Sequence, residues 1–142
     1  MHTTIEQSER LIELGIDVKT ADMLAEIDDR DYPSIDYNIT IYRGQKKDLP
    51  LLRYDGIPIW SLSALFNLIP SEIKTIGKFG EFKYQLHIRK YKFADNVDVH
   101  QLAYGNYNDG GSWSDMISTS EEVNFIDAAF EMVCWLLENK MI

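Results

Sequence analysis

The 142-residue chain has a single cysteine, Cys134, so it can form neither an internal disulfide nor a thiolate zinc cluster. It has three histidines, His2, His87 and His100, too few and too scattered to compose a metal site. No apolar run approaches the ~20 residues of a membrane helix. The opening MHTTIEQSER has neither the basic start nor the apolar segment of a secretory signal. Neither a GxxxxGK[ST] loop nor a GxGxxG turn occurs between strand and helix. These absences lead to the expectation of a cytoplasmic protein with no cofactor, no metal, no membrane partner and no assembled catalytic site.

Hydrophobic residues make up 45% of the chain and charged ones 26%, proportions of a globular protein, and the length suits one domain spanning 1–142. The net charge of −9 is unevenly laid out. Met1–Asp36 holds ten acids against three bases, Tyr37–Phe93 four against ten, and Ala94–Ile142 nine against one. Acidic ends packed beside a basic middle would partly neutralise it. Left exposed, the same layout gives a charge-polarised surface able to steer a partner.

The patterning predicts an α+β fold. Thr3 or Thr4 caps a first helix over Ile5–Leu14, stopped at Gly15. A second short helix follows, capped by Thr20, with Ala21, Met23, Leu24 and Ile27 as its apolar positions. IDDRDYPSIDY leaves helix, Tyr37–Arg43 reads as a strand, GQKKDLP as a loop and LLRYDGIPIW as extended chain. Ser61 caps a central short helix that Pro70 ends or kinks. FKYQLHIRKYKF, VDVHQLAYG and SWSDMIS form an antiparallel meander of three or more strands. Thr119 and Glu122 stand at capping-box spacing before a long C-terminal amphipathic helix. Val123, Ile126, Phe130, Val133 and Leu137 make its apolar stripe, widened by Ala129, Cys134 and Trp135, and the helix is expected to pack on the sheet.

Residues 82–93, FKYQLHIRKYKF, interleave five basic or histidine side chains with aromatic and aliphatic ones. Alternation puts Phe82, Tyr84, Leu86 and Ile88 on one face and Lys83, Gln85, His87 and Arg89 on the other. Beyond Arg89 strict alternation would turn Lys90 and Lys92 inward. A bulge there would instead gather Lys83, His87, Arg89, Lys90 and Lys92 on one basic surface. That surface is the first candidate for partner binding. A second is the loop region YGNYNDGGSWSD, where Tyr104, Tyr107, Asp109, Trp113 and Asp115 offer aromatic and acidic contacts. Cys134, on the apolar face of the last helix, reads as an inert buried thiol.

TIEQSERLIELGIDVKTADM, IPIWSLSALFNLIPSEI and FIDAAFEMVCWLLENK together resemble small proteins of gut Bacteroidales genomes and their prophages, over most of the chain and in the same order. The resemblance implies a cytoplasmic bacterial or phage setting and carries over no catalytic or binding residue. The resemblance names no activity; the charge-polarised surface and the lack of an assembled site lead to the expectation of a non-enzymatic interaction protein, encoded by a host, a phage or a mobile element, that binds a macromolecular partner, expected to be a protein. One alternative is a small-ligand protein or enzyme with a pocket between sheet and helices, using His87, His100 or the 104–115 loop. Another is a nucleic-acid-binding module on the Lys83–Lys92 surface, which the acidic total and the lack of a nucleic-acid motif count against.

Overall fold

A computed structural model describes residues 1–28, 38–44 and 56–142. Most of IDDRDYPSIDY, the GQKKDLP loop beyond Gly44 and the start of LLRYDGIPIW lie outside the described residues. The fold is α+β, with three α-helices and two antiparallel sheets among them. The chain forms two compact units, Met1–Leu65 and Phe66–Ile142.

The first unit opens with helix α1 (Ile5–Glu13). Thr4 closes a capping box: its hydroxyl accepts from the Gln7 N–H at 3.1 Å, and the Gln7 side chain accepts from the Thr4 N–H at 3.0 Å. Leu11 and Ser8 are its buried residues, and Gly15, at φ 89°, turns the chain out of the helix. The expected second helix does not form. Residues Met23–Asp28 make strand β1, which lies between β2 (Asn38–Arg43) and β3 (Ile57–Ile59). Asp17 caps a 3-10 turn at Val18–Thr20, after which Ala21 is extended. Thr20, the expected cap, accepts instead from the Trp60 indole N–H at 2.9 Å. Ala25 pairs with Ile41 on one side and Ile57 on the other. Ladders on both edges thus override the modest helix preference of Ala, Met, Leu and Glu.

Helix α2 (Leu62–Leu68) carries the chain from the first unit into the second. Ser61 caps it, its hydroxyl accepting from the Ala64 N–H at 3.1 Å, and the helix is over before Pro70. The residues after Pro70 are not helical: Glu72–Gly77 form strand β4. It pairs with β5 (Gly80–Lys92), which pairs with β6 (Asp98–Tyr107), which pairs with β7 (Trp113–Ser118). The second sheet is therefore a four-stranded meander in chain order.

Helix α3 (Phe125–Glu138) lies against β6. It starts later than the capping-box spacing suggests, at Asn124, because Thr119 and Glu122 are engaged in extending the sheet. Thr119 N–H donates to the Leu102 carbonyl at 2.8 Å, and His100 and Glu122 exchange backbone bonds at 2.7 and 3.0 Å. Val123 is thereby outside the helix and exposed. Ile126, Ala128, Ala129, Met132, Val133 and Leu136 form the buried face. The stripe is turned by about one position from the expected one, leaving Phe130 and Leu137 half-buried. Leu102 and Tyr104 of β6 are fully buried, each such side chain contributing ~1.5–3 kcal/mol.

Candidate functional site

The β5–β6 register runs without interruption from Gln85↔Gly105 to Lys92↔Asp98. No bulge interrupts β5 near Arg89, so alternation holds to its end and the five basic side chains divide between two faces. Lys83, His87 and Arg89 share one face. Lys90 and Lys92 share the other, where both reach Asp98, at 3.4 and 3.1 Å. The hydrogen bond from Lys92, reinforced by the charge of Lys90, holds the Asp98 carboxyl below its ordinary range.

The two groups of candidate residues then meet. Leu102, Tyr104 and His100 are on the Ile88 face, where the His100 ring stacks on Phe125 of α3 at 5.1 Å. On the opposite face, His87 meets Trp113 edge-on, with ring centroids 4.7 Å apart, and Trp113 meets Tyr107 the same way at 5.2 Å. Arg89 makes a forked pair with Asp115, one arm at 2.9 Å. Its Nη1 also donates to Gln101 at 3.2 Å, and the Trp113 indole N–H donates to Asp115 at 2.5 Å. The register shift between Tyr104 and Gly105 aims these β7 side chains at β5. Tyr104 belongs elsewhere: it is buried, its hydroxyl donates to the Pro70 carbonyl at 2.5 Å, and burial pushes its phenol well above the usual range. Asp109 sits exposed at the β6–β7 connection.

The polar groups of Arg89, Gln101, Trp113 and Asp115 are engaged with one another. Gln101, which accepts from Arg89, donates to the Thr119 carbonyl at 2.8 Å. His87 Nδ1, by contrast, is enclosed with no hydrogen-bond partner among the described residues. The arrangement is a clasp across β5, β6 and β7, and it uses up the charge that would otherwise recognise a ligand. The hydrogen bond from Arg89 holds the Asp115 carboxyl below the usual range, while the same bond holds the Arg89 guanidinium above its own. Because the folded pKa is depressed, the stabilisation is complete above the unfolded value of about 3.9 and is lost as pH falls through the folded one. Urea midpoints measured from neutral pH into acid should therefore fall below about pH 4 in the native chain. In Asp115→Asn that acid limb should be shallower and the midpoint already lower at neutral pH. An unchanged limb would show that the clasp contributes nothing.

What remains uncompensated is at the far end of β5. The β4–β5 hairpin closes through Gly77↔Gly80, with Lys78 and Phe79 as its two-residue turn. Ile76 is 90% exposed, Phe79 88% and Phe82 41%. Lys74 and Lys83 face each other directly across the two strands, an unfavourable placement for like charges. Lys74 has Glu81 at 3.7 Å. Lys83 has no carboxylate partner among the described residues, and Lys78 only leans on the Phe79 ring, 6.0 Å from its centroid. Lys83 was expected in a binding surface; Ile76, Lys78, Phe79 and Phe82 were not. The readable signal was the alternation in EIKTIG followed by glycines on both sides of Lys78-Phe79, a hairpin pattern.

Among the described residues no group of three or more His, Cys, Asp and Glu could hold a metal ion, and no helix is long and apolar enough to cross a membrane. Compared with protein-family models, curated proteins and solved structures, the chain matches none.

Proposed function

We propose that this chain is a non-enzymatic interaction protein that binds another protein through its β4–β5 hairpin. The observation that carries the reading is the near-complete exposure of Ile76 and Phe79 at the end of a hairpin whose backbone is tightly paired. Covering either side chain would contribute ~1.5–3 kcal/mol, and exposed apolar groups rimmed by charge mark interaction sites. Lys78 and Lys83 favour a partner with acidic groups around an apolar recess, and such complementarity speeds and registers encounter. The reading moves the binding surface from the Lys83–Lys92 side of β5 to its hairpin end, since Arg89, Lys90 and Lys92 are paired with Asp115 and Asp98. The cytoplasm of a Bacteroidales cell or its prophage is the setting proposed with it, supported by the resemblance described above.

The test is capture from lysate of such a bacterium on immobilised protein, with elution over a salt gradient. A stoichiometric protein released by moderate salt is expected from the native chain. Ile76→Asp with Phe79→Asp should weaken its retention by at least about tenfold, the effect of losing one buried anchor. Their exposure means the double variant should melt like the native chain. Equal retention by both, or an eluate of nucleic acid that nuclease removes, would overturn the reading.

A further inference from the structure

β4 is an outer strand of its sheet. The Leu86 N–H donates to the Ser71 carbonyl at 2.9 Å, and the two-residue turn closes at Gly77↔Gly80. Antiparallel ladders alternate between hydrogen-bonded and non-bonded pairs. Ser71, Ile73, Thr75 and Gly77 therefore direct their backbone groups at β5. Glu72, Lys74 and Ile76 direct theirs away from the sheet, and all three side chains are exposed. Among the described residues no strand pairs with this edge, which carries three residues with alternating character on one face: acidic, basic, apolar.

Free edges recruit strands, and a lysine in the middle of one is a common guard against self-association. Here the guard is selective. Pairing of β4 with a second copy about a two-fold axis at Lys74 would set Lys74 against Lys74, with Lys83 beside each. The same geometry favours a strand bearing a carboxylate opposite Lys74, which would be met by Lys74 and Lys83 together. We infer that β4 takes up an extended segment of the protein partner as an added antiparallel strand. That segment carries Asp or Glu opposite Lys74 and an apolar residue opposite Ile76, two positions away. This inference rests on the reading of the hairpin as a protein-binding site and specifies how the partner is held: main-chain bonds give attachment, and the two side-chain positions give selection.

The probe is the capped heptapeptide TVTETKT, with TVTKTKT as control, followed by amide hydrogen exchange in the full chain. Bound TVTETKT should slow exchange of the Glu72, Lys74 and Ile76 amides at least about fivefold, since they pass from solvent into a ladder. TVTKTKT should leave them unchanged. Lys74→Pro removes one outward N–H without touching the β4–β5 ladder, a placement an edge strand tolerates. It should abolish the slowing, whereas Lys74→Gln should weaken it only in part. The inference is overturned by no slowing at millimolar TVTETKT, or by perturbation confined to Phe79 and Phe82. It is equally overturned if the hairpin binds phosphatidylserine vesicles and not the peptide. A captured partner that needs Phe79 but tolerates Lys74→Pro would sink strand addition alone. Indifference to both substitutions would sink the hairpin reading with it.

Discussion

Gly105→Ala is expected to destabilise the protein by about 3 kcal/mol, at the top of the usual range for overpacking. A Cβ placed there would lie 2.2 Å from the Ser114 carbonyl oxygen, 2.9 Å from the Trp113 ring and 3.0 Å from the Asp115 Cα. Two of these obstacles are backbone of the neighbouring strand and cannot rotate aside. The glycine is not needed for its conformational freedom, since its φ is not among the positive ones. It is needed for the space it leaves beside the Trp113 indole. The substitution should lower Tm by about 10 °C. It should also loosen the clasp, because Trp113 touches both His87 and Asp115. Gly110→Ala is the control: its added Cβ meets only an Asn108 side-chain oxygen at 3.4 Å, and its effect should stay within about 0.5 kcal/mol. Equal stability of the two variants would mean that β7 shifts freely on β6.

Trp60→Ala should cost about 3–5 kcal/mol, the range for emptying a buried aromatic site. Trp60 is fully buried and bonded at three points. Its N–H donates to the Thr3 hydroxyl at 3.1 Å, its carbonyl accepts from the Thr3 N–H at 2.9 Å, and its indole donates to Thr20. Thr3 in turn shares a 2.7 Å bond with Ser8 of α1. Alanine keeps the two backbone bonds but leaves a cavity and a Thr20 hydroxyl without its donor. Phenylalanine fills most of the volume and loses only the indole bond, so its cost should be nearer 1–2 kcal/mol. Urea midpoints of the three proteins separate the two contributions. A phenylalanine variant as unstable as the alanine one would place the whole effect in the hydrogen bond.

The sequence is most legible where local signals and the final packing agree. Thr4 caps α1 and Gly15 ends it as their chemistry dictates. The meander of β5, β6 and β7 follows from period-two patterning broken by turn residues. Met23–Asp28 reads as helix from its own residues but becomes a strand through pairing with β2 and β3, and nothing within the segment reveals those partners. Thr119 and Glu122 misled for the same reason: a capping-box spacing says nothing of whether β6 is waiting to pair with those residues. On the functional side, His87, Arg89, Tyr107, Trp113 and Asp115 were found as two separate groups, and only the register of β5, β6 and β7 joins them. Joining them also cancels their charges. Phe79 gives no sequence signal because a single aromatic in a turn has no periodicity, and only the geometry of the hairpin shows it uncovered.

The two sheets are wired differently, and this bears on how each comes into being. In the β4–β7 meander every strand pairs with its neighbour in the chain, so each ladder can zip from a nearby turn with little loop entropy to overcome. In the first sheet β1 must find β3, Ala25 beside Ile57, and Thr3 must find Trp60. Closing such long intervals is the slower event, since folding rate falls as the sequence separation of contacts grows. During synthesis the first sheet cannot close until Trp60 has been made, and the meander, though made later, needs no such wait between its strands. The unit begun first is thus the one with the longer search, and the time its β1 edges spend unpaired is when the chain is most open to pairing with the wrong strand.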